Sequence, residues 1–111
     1  MVDKKLVSSE ILLSFWKIHV LYHAEEGGVV GSWMLHELQH HGYEVSPGTL
    51  FPLLKRMEKF GWLSSETDGP GPRARRTYRI TEEGKEVLTI ARRQLRELGV
   101  EVGGGKHEGQ P

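Results

Sequence analysis

The chain has 111 residues, no cysteine, and 15 basic against 15 acidic side chains. This bounds it to one domain with tails and excludes a disulfide framework or a thiolate metal centre. The longest apolar stretch, around Ile11–Tyr22, is interrupted by Ser14, Lys17 and His19, so no membrane span is expected. Met1–Leu6 does not read as a secretory leader, and the expected location is cytoplasmic. Zero net charge hides a division. Residues 1–45 hold 3 Lys/Arg against 6 Asp/Glu, residues 46–80 hold 7 against 3, and residues 81–111 hold 5 against 6. The basic excess therefore sits in one central segment.

In chain order, Met1–Leu6 reads as a loose charged start, followed by a long helix over 7–26 capped by Ser8 or Ser9. Its apolar residues form more than one stripe. Ile11, Phe15, Ile18 and Tyr22 are expected to fill the domain's own core, while Leu12, Trp16, His19 and His23 form the next face. A helix apolar on most sides is buried on most sides, and in so small a chain a second copy is the natural partner. Gly27–Gly28 ends this helix. Ser32 is expected to cap a short second one over 33–41, with Met34, Leu35 and Leu38 facing inward and Trp33, His36, Glu37 and His40 outward. Gly42 ends it.

The segment 46–61, SPGTLFPLLKRMEKFG, reads as a helix with its start written out: Ser46 as N-cap, Pro47 in the first turn, Gly61 just past the end. Leu50, Leu53, Leu54, Met57 and Phe60 recur with helical period on one side. The other side offers Gly48, Pro52, Lys55 and Lys59, with Arg56 at its flank: cations beside two residues that let a backbone come close. After Gly61 the period becomes two. A strand over 62–67, a loop DGPGP over 68–72 and a strand over 75–80 form a hairpin carrying Arg73, Arg75, Arg76 and Arg79. A basic hairpin beside a basic helix suggests one footprint on a duplex. Thr81 caps a last helix over 82–98, stopped by Gly99. Gly84, Leu88, Ala91, Leu95 and Leu98 are spaced as a heptad seam, and because the winged fold looks closed before this helix, the seam reads as a dimer interface. The remaining tail, from residue 100 to 111, has too little apolar content to fold alone.

These residues resemble a family. SPGTLFPLLKRMEKFGWLSSE, the Gly/Pro/Arg-rich wing and TYRITEEGKEVL are together similar to the PadR family of winged-helix transcriptional regulators, over about residues 10–98. The resemblance implies a mainly α fold of α+β type: a winged helix-turn-helix over 1–80 with a two-stranded wing, a dimerisation helix over 81–99 and a flexible tail over 100–111. It further implies a homodimer whose helices over 47–60 enter the major groove of an inverted-repeat operator. The wing tips would then lie on the backbone or in the minor groove. Regulators of this kind are usually repressors released by a small, often aromatic, molecule near the dimer interface. The single C-terminal helix resembles the family's short subclass.

The DNA-binding set expected on both grounds is Ser46, Gly48, Thr49, Pro52, Lys55, Arg56, Lys59, Arg73, Arg75 and Arg76. An effector pocket is expected around Phe15, Trp16, His19 and Tyr22, with Trp16 as the residue the domain core does not need. The dimer seam is expected at Leu88, Ala91, Leu95 and Leu98. Histidines recur four apart at His19/His23 and His36/His40, with His41 adjacent, a spacing that puts two imidazoles on one helical face. A third metal ligand would be Glu26, Glu37 or His107, but scattered surface histidines are the plainer reading, and neither metal nor cofactor is assigned. A His-based metal-sensing regulator and a winged-helix protein–protein interaction module stand as alternatives. No nucleophile elbow, phosphate loop or acid–base pair points to an enzyme.

Overall fold

Asp3 opens the first helical segment of the computed structural model, which describes residues 1–103. Its carboxylate accepts the amides of Lys5 and Leu6 at 3.0 and 3.3 Å. Helix α1 (Lys4–Val7) therefore begins inside what looked like a loose start, and neither Ser8 nor Ser9 is the cap. A π-helical turn, Ser8–Leu12, joins it to α2 (Leu13–Glu26). The buried stripe of α2 is Trp16, Val20, Leu21 and Ala24, with Trp16 only 2 % exposed. Ile11, Phe15 and Tyr22, expected in the core, are exposed instead. With more than one apolar stripe available, the largest side chain took the inner position, where it sits edge-on against Tyr43 at 6.0 Å between centroids.

Val29–Val30 is a short strand, β1, that the pattern did not announce. It pairs antiparallel with Thr77 and Tyr78. Gly28 permits the approach, since a Cβ there would come within 2.5 Å of the Thr77 methyl. Helix α3 (Gly31–His40) follows directly, with Val30 at the N-cap and no side-chain cap, so Ser32 lies inside the first turn. Met34 and Leu38 are buried as expected. Gly42 (φ +94°) turns the chain.

Helix α4 (Pro47–Lys59) buries Leu50, Leu53, Leu54 and Met57. Ser46 stands at the N-cap through its carbonyl, which accepts the Thr49 and Leu50 amides at 3.1 and 3.0 Å. Its hydroxyl makes no capping bond and meets Thr49 Oγ1 at 3.3 Å. Phe60 is not part of the buried face. It closes the helix and leans on Trp62, 5.0 Å between centroids. Strands β2 (Leu63–Thr67) and β3 (Arg76–Ile80) pair antiparallel from Leu63↔Ile80 to Thr67↔Arg76. With β1 they make a three-stranded sheet in the order β1-β3-β2, where a two-stranded wing was expected.

Helix α5 (Glu82–Val102) is capped by Thr81, whose hydroxyl accepts the Gly84 amide at 2.9 Å and donates to the Gly61 carbonyl at 2.6 Å. Two corrections concern this helix. Gly99 does not stop it; one glycine among helix-forming neighbours is tolerated. The fold is not closed before it either: Leu88 is 1 % exposed and belongs to the chain's own core, so it is not a free seam position. Beyond Leu88 the apolar stripe emerges, with Leu95 and Leu98 40 and 50 % exposed beside Ile90. The C-terminal half of α5 thus leaves its apolar stripe uncovered. No described helix is long and apolar enough to cross a membrane. His107 and the rest of 104–111 lie outside the described residues.

Candidate nucleic-acid interface

The outer face of α4 carries Gly48, Thr49, Pro52, Lys55, Arg56 and Lys59, all exposed. Packing does not require the glycine. A Cβ at Gly48 would have only Ser46 Oγ nearby, at 3.8 Å. Glycine in a helix costs about 0.5–1 kcal/mol relative to alanine, a cost with no internal return here. Pro52, inside the helix, has no amide hydrogen to give the Gly48 carbonyl. The helix therefore presents a smooth, thin strip of backbone between its cations. Phe51 belongs to the same surface: it is half-exposed and its ring edge sits where a Cβ on Gly31 would be 3.0 Å away. Sequence reasoning passed over it, although its spacing from Gly48 and Lys55 already placed it there.

The wing brings a second basic group alongside. Its loop is pinned by Asp68, whose amide donates to the Arg75 carbonyl at 3.0 Å while its carboxylate accepts the Arg75 amide at 2.9 Å. The arginines divide by partner. Arg79 pairs with Glu66 at 3.4 Å. Arg76 donates to Ser65 Oγ at 2.9 Å, and Ser65 donates in turn to Glu58 of α4 at 2.7 Å. This chain ties the wing to the back of α4. Lys55, Arg56, Lys59, Arg73 and Arg75 form no ion pair among the described residues. Five cations held on a rigid helix and a pinned loop, without internal partners, are available to phosphate.

Between α2, the end of α3 and α5 lies a cavity of about 620 Å³, within the range of small-molecule sites. Phe15, His19 and Tyr22 line it, together with Tyr43, Arg92 and Leu95. Trp16 does not, because it points into the core. Arg92 bridges to Glu25 at 3.0 Å and lies 6.0 Å from the Tyr22 ring centre, fixing α5 against α2. One wall holds the histidines. His19 on α2 contacts Tyr43 Oη at 3.3 Å. His23 and His41 both approach Glu37 Oε2, at 3.4 and 3.0 Å. Burial, then the neighbouring His41 and His23, lower the His19 pKa from its ordinary value, which favours the neutral ring with a free nitrogen lone pair. The second pair, His36/His40, is exposed, with the His40 ring 5.9 Å from that of His41.

Comparison with known proteins decides what this arrangement belongs to. The model of the transcriptional regulator PadR-like family matches residues 20–90. The chain belongs to the PadR-like family. Its members are transcriptional regulators and not enzymes. The chain is 50 % identical over 90 residues to the transcriptional regulator Rv3488 of Mycobacterium tuberculosis, covering 81 % of this chain and 84 % of that one. Among solved structures, a PadR family transcriptional regulator from Eggerthella lenta shares 32 % identity with a TM-score of 0.70, covering 89 and 91 % of the two chains. A PadR-like regulator from Bacillus cereus shares 26 % with a TM-score of 0.73, covering 91 and 99 %. This PadR-like chain has the winged-helix fold, and DNA binding is the activity the family implies.

Proposed function

We propose that the protein binds a duplex inverted repeat as a homodimer, acts in the cytoplasm as a repressor, and is released by a small effector. The carrying observation is the face of Gly48, Pro52, Lys55, Arg56 and Lys59, flanked by Arg73 and Arg75, whose cations have no partner among the described residues. This face fits insertion of α4 in the major groove, with Ser46 and Thr49 at its leading end. Arg73 and Arg75 would lie on phosphate, and Arg76 would brace the wing through Ser65. Dimerisation is supported by the exposed stripe Ile90, Leu95 and Leu98, with Ala91 between, and by exposed Ile11, Phe15 and Tyr22 on α2. Contiguous apolar surface of this kind marks an interface. A two-fold axis along the α5 helices would set two α4 helices against half-sites about 34–36 Å apart. The cavity of Phe15, His19 and Tyr22 lies where α2 and α5 meet, so an occupant there would alter that spacing. The test is selection of duplexes from a random library followed by sizing of the complex. Recovery of a palindromic site bound by two chains is expected. Absence of any enriched duplex would overturn the reading and favour a protein-interaction module.

A further inference from the structure

Two helices each offer a pair of ligating side chains four residues apart, and the pairs face one another. Helix α2 supplies His19 and His23; the end of α3 supplies Glu37 and His41. One ring nitrogen from each of the three histidines lies within 4.8 Å of the other two. Glu37 Oε2 lies 3.0 Å from His41 Nε2 and 3.4 Å from His23 Nε2. Bonds of about 2.0–2.1 Å to a tetrahedral ion put neighbouring ligand atoms about 3.3 Å apart. The Glu37 separations already bracket that edge, and the imidazoles need to close by at most about 1.5 Å, within reach of side-chain rotation. Building on the DNA-binding reading above, we propose that the effector is a divalent transition cation of the zinc class, bound by His19, His23, His41 and Glu37.

The chemistry selects the class. Three imidazoles and one carboxylate suit Zn²⁺, Co²⁺ or Ni²⁺, whereas Mg²⁺ and Ca²⁺ take all-oxygen shells and cuprous copper prefers sulfur. An entry path exists, because the cluster walls the open cavity and His41 is exposed. The link to DNA is equally direct. His41 is the C-cap of α3, its amide bonded back to the Glu37 and Leu38 carbonyls, and only Gly42–Val45 separate it from the N-cap of α4. An ion joining α2 to that cap fixes the hinge from which the recognition helix hangs. Ion and DNA affinities are then coupled, and reciprocally so.

The test uses untagged full-length protein freed of metal by chelation. Co²⁺ is added with absorption and equilibrium dialysis as readouts, and duplex affinity is measured with and without Zn²⁺. The expected results are one ion per chain, the intense visible bands of tetrahedral Co²⁺, and a change in duplex affinity of about fivefold or more. His23→Gln and His41→Gln should lose all three; the paired change His36→Gln with His40→Gln should keep them, which excludes casual binding by surface histidines. Circular dichroism establishes that each variant folds. Wild type that fails to take up Co²⁺ while still binding DNA overturns the ion site and leaves the regulator intact. Uptake without any change in duplex affinity overturns the effector role. Uptake by a protein that binds no duplex supports the site and refutes the DNA reading instead.

Discussion

Gly48→Ala separates binding from folding more cleanly than any charge removal. The new methyl meets open space on the protein side, the nearest atom being Ser46 Oγ at 3.8 Å. Alanine in place of a helical glycine should therefore stabilise the domain by about 0.5–1 kcal/mol, a rise of a few degrees in Tm. With α4 inserted as proposed, the same methyl would stand between its backbone and the duplex. If it costs one charge-assisted hydrogen bond to phosphate, of about 1.5–3 kcal/mol, affinity falls roughly 10- to 150-fold. Gly84→Ala is the control with the opposite profile. There a Cβ would sit 2.2 Å from the Trp62 carbonyl oxygen and 2.7 Å from Ile80, so stability must fall while the binding face is untouched. Differential scanning calorimetry and fluorescence anisotropy with a selected duplex read both quantities. A Gly48→Ala protein that binds as tightly as wild type would refute the close approach of this helix, whatever the cations do.

Three further outcomes are expected. With roughly six to ten phosphates contacted per dimer, affinity should drop by about 10³ to 10⁵ between 50 and 200 mM salt, and Arg73→Ala with Arg75→Ala should flatten the slope; a salt-independent affinity counts against the footprint. Changing Thr49, Lys55 or Arg56 should relax preference at a single base position for at least one of them, read by repeating the selection, and uniform weakening by all three would mean that none reads bases. Leu95→Glu should raise the dimer dissociation constant about 10²- to 10³-fold by burying an unpaired charge while leaving each domain folded. Leu88→Ala should instead cost about 2–5 kcal/mol of domain stability, and ultracentrifugation with thermal melts tells the two apart.

Helix α4 and the wing were legible because their signals are local. Ser46–Pro47, the period of Leu50, Leu53, Leu54 and Met57, Gly61 at φ +89° and the DGPGP loop each specify a conformation within a few residues. Features settled by distant packing were not. β1 is two residues long and exists because Gly28 admits Thr77 and Tyr78, partners nearly fifty positions away. The heptad spacing of α5 identified its apolar stripe correctly. It could not reveal that Leu88 packs into its own domain while Leu95, at the cavity rim, and Leu98 are left exposed. The histidine cluster was half legible: spacing paired His19 with His23, but only the antiparallel meeting of α2 and α3 adds His41 and Glu37 to them.

The misplacement of Trp16 also determines which tryptophan reports on the cavity. A continuous apolar helix left its orientation open, and the indole went inward. Its Nε1 is buried and makes no hydrogen bond among the described residues. Trp16→Phe therefore forfeits packing area but no hydrogen bond, and it relieves a stranded donor; the variant should fold. Trp33, by contrast, is half-exposed on α3, with its ring 5.1 Å from that of His23 at 79°. Any change of charge or coordination at His23 acts directly on the Trp33 excited state. Zn²⁺ added to metal-free protein should accordingly alter tryptophan emission in wild type and in Trp16→Phe. It should leave emission unchanged in Trp33→Phe, where the remaining indoles are Trp16 in the core and Trp62 against Phe60. A response that persists in Trp33→Phe but disappears in Trp16→Phe would place the ion on the other side of α2, near the core face, and would remove the His19–His23–His41 wall as its site.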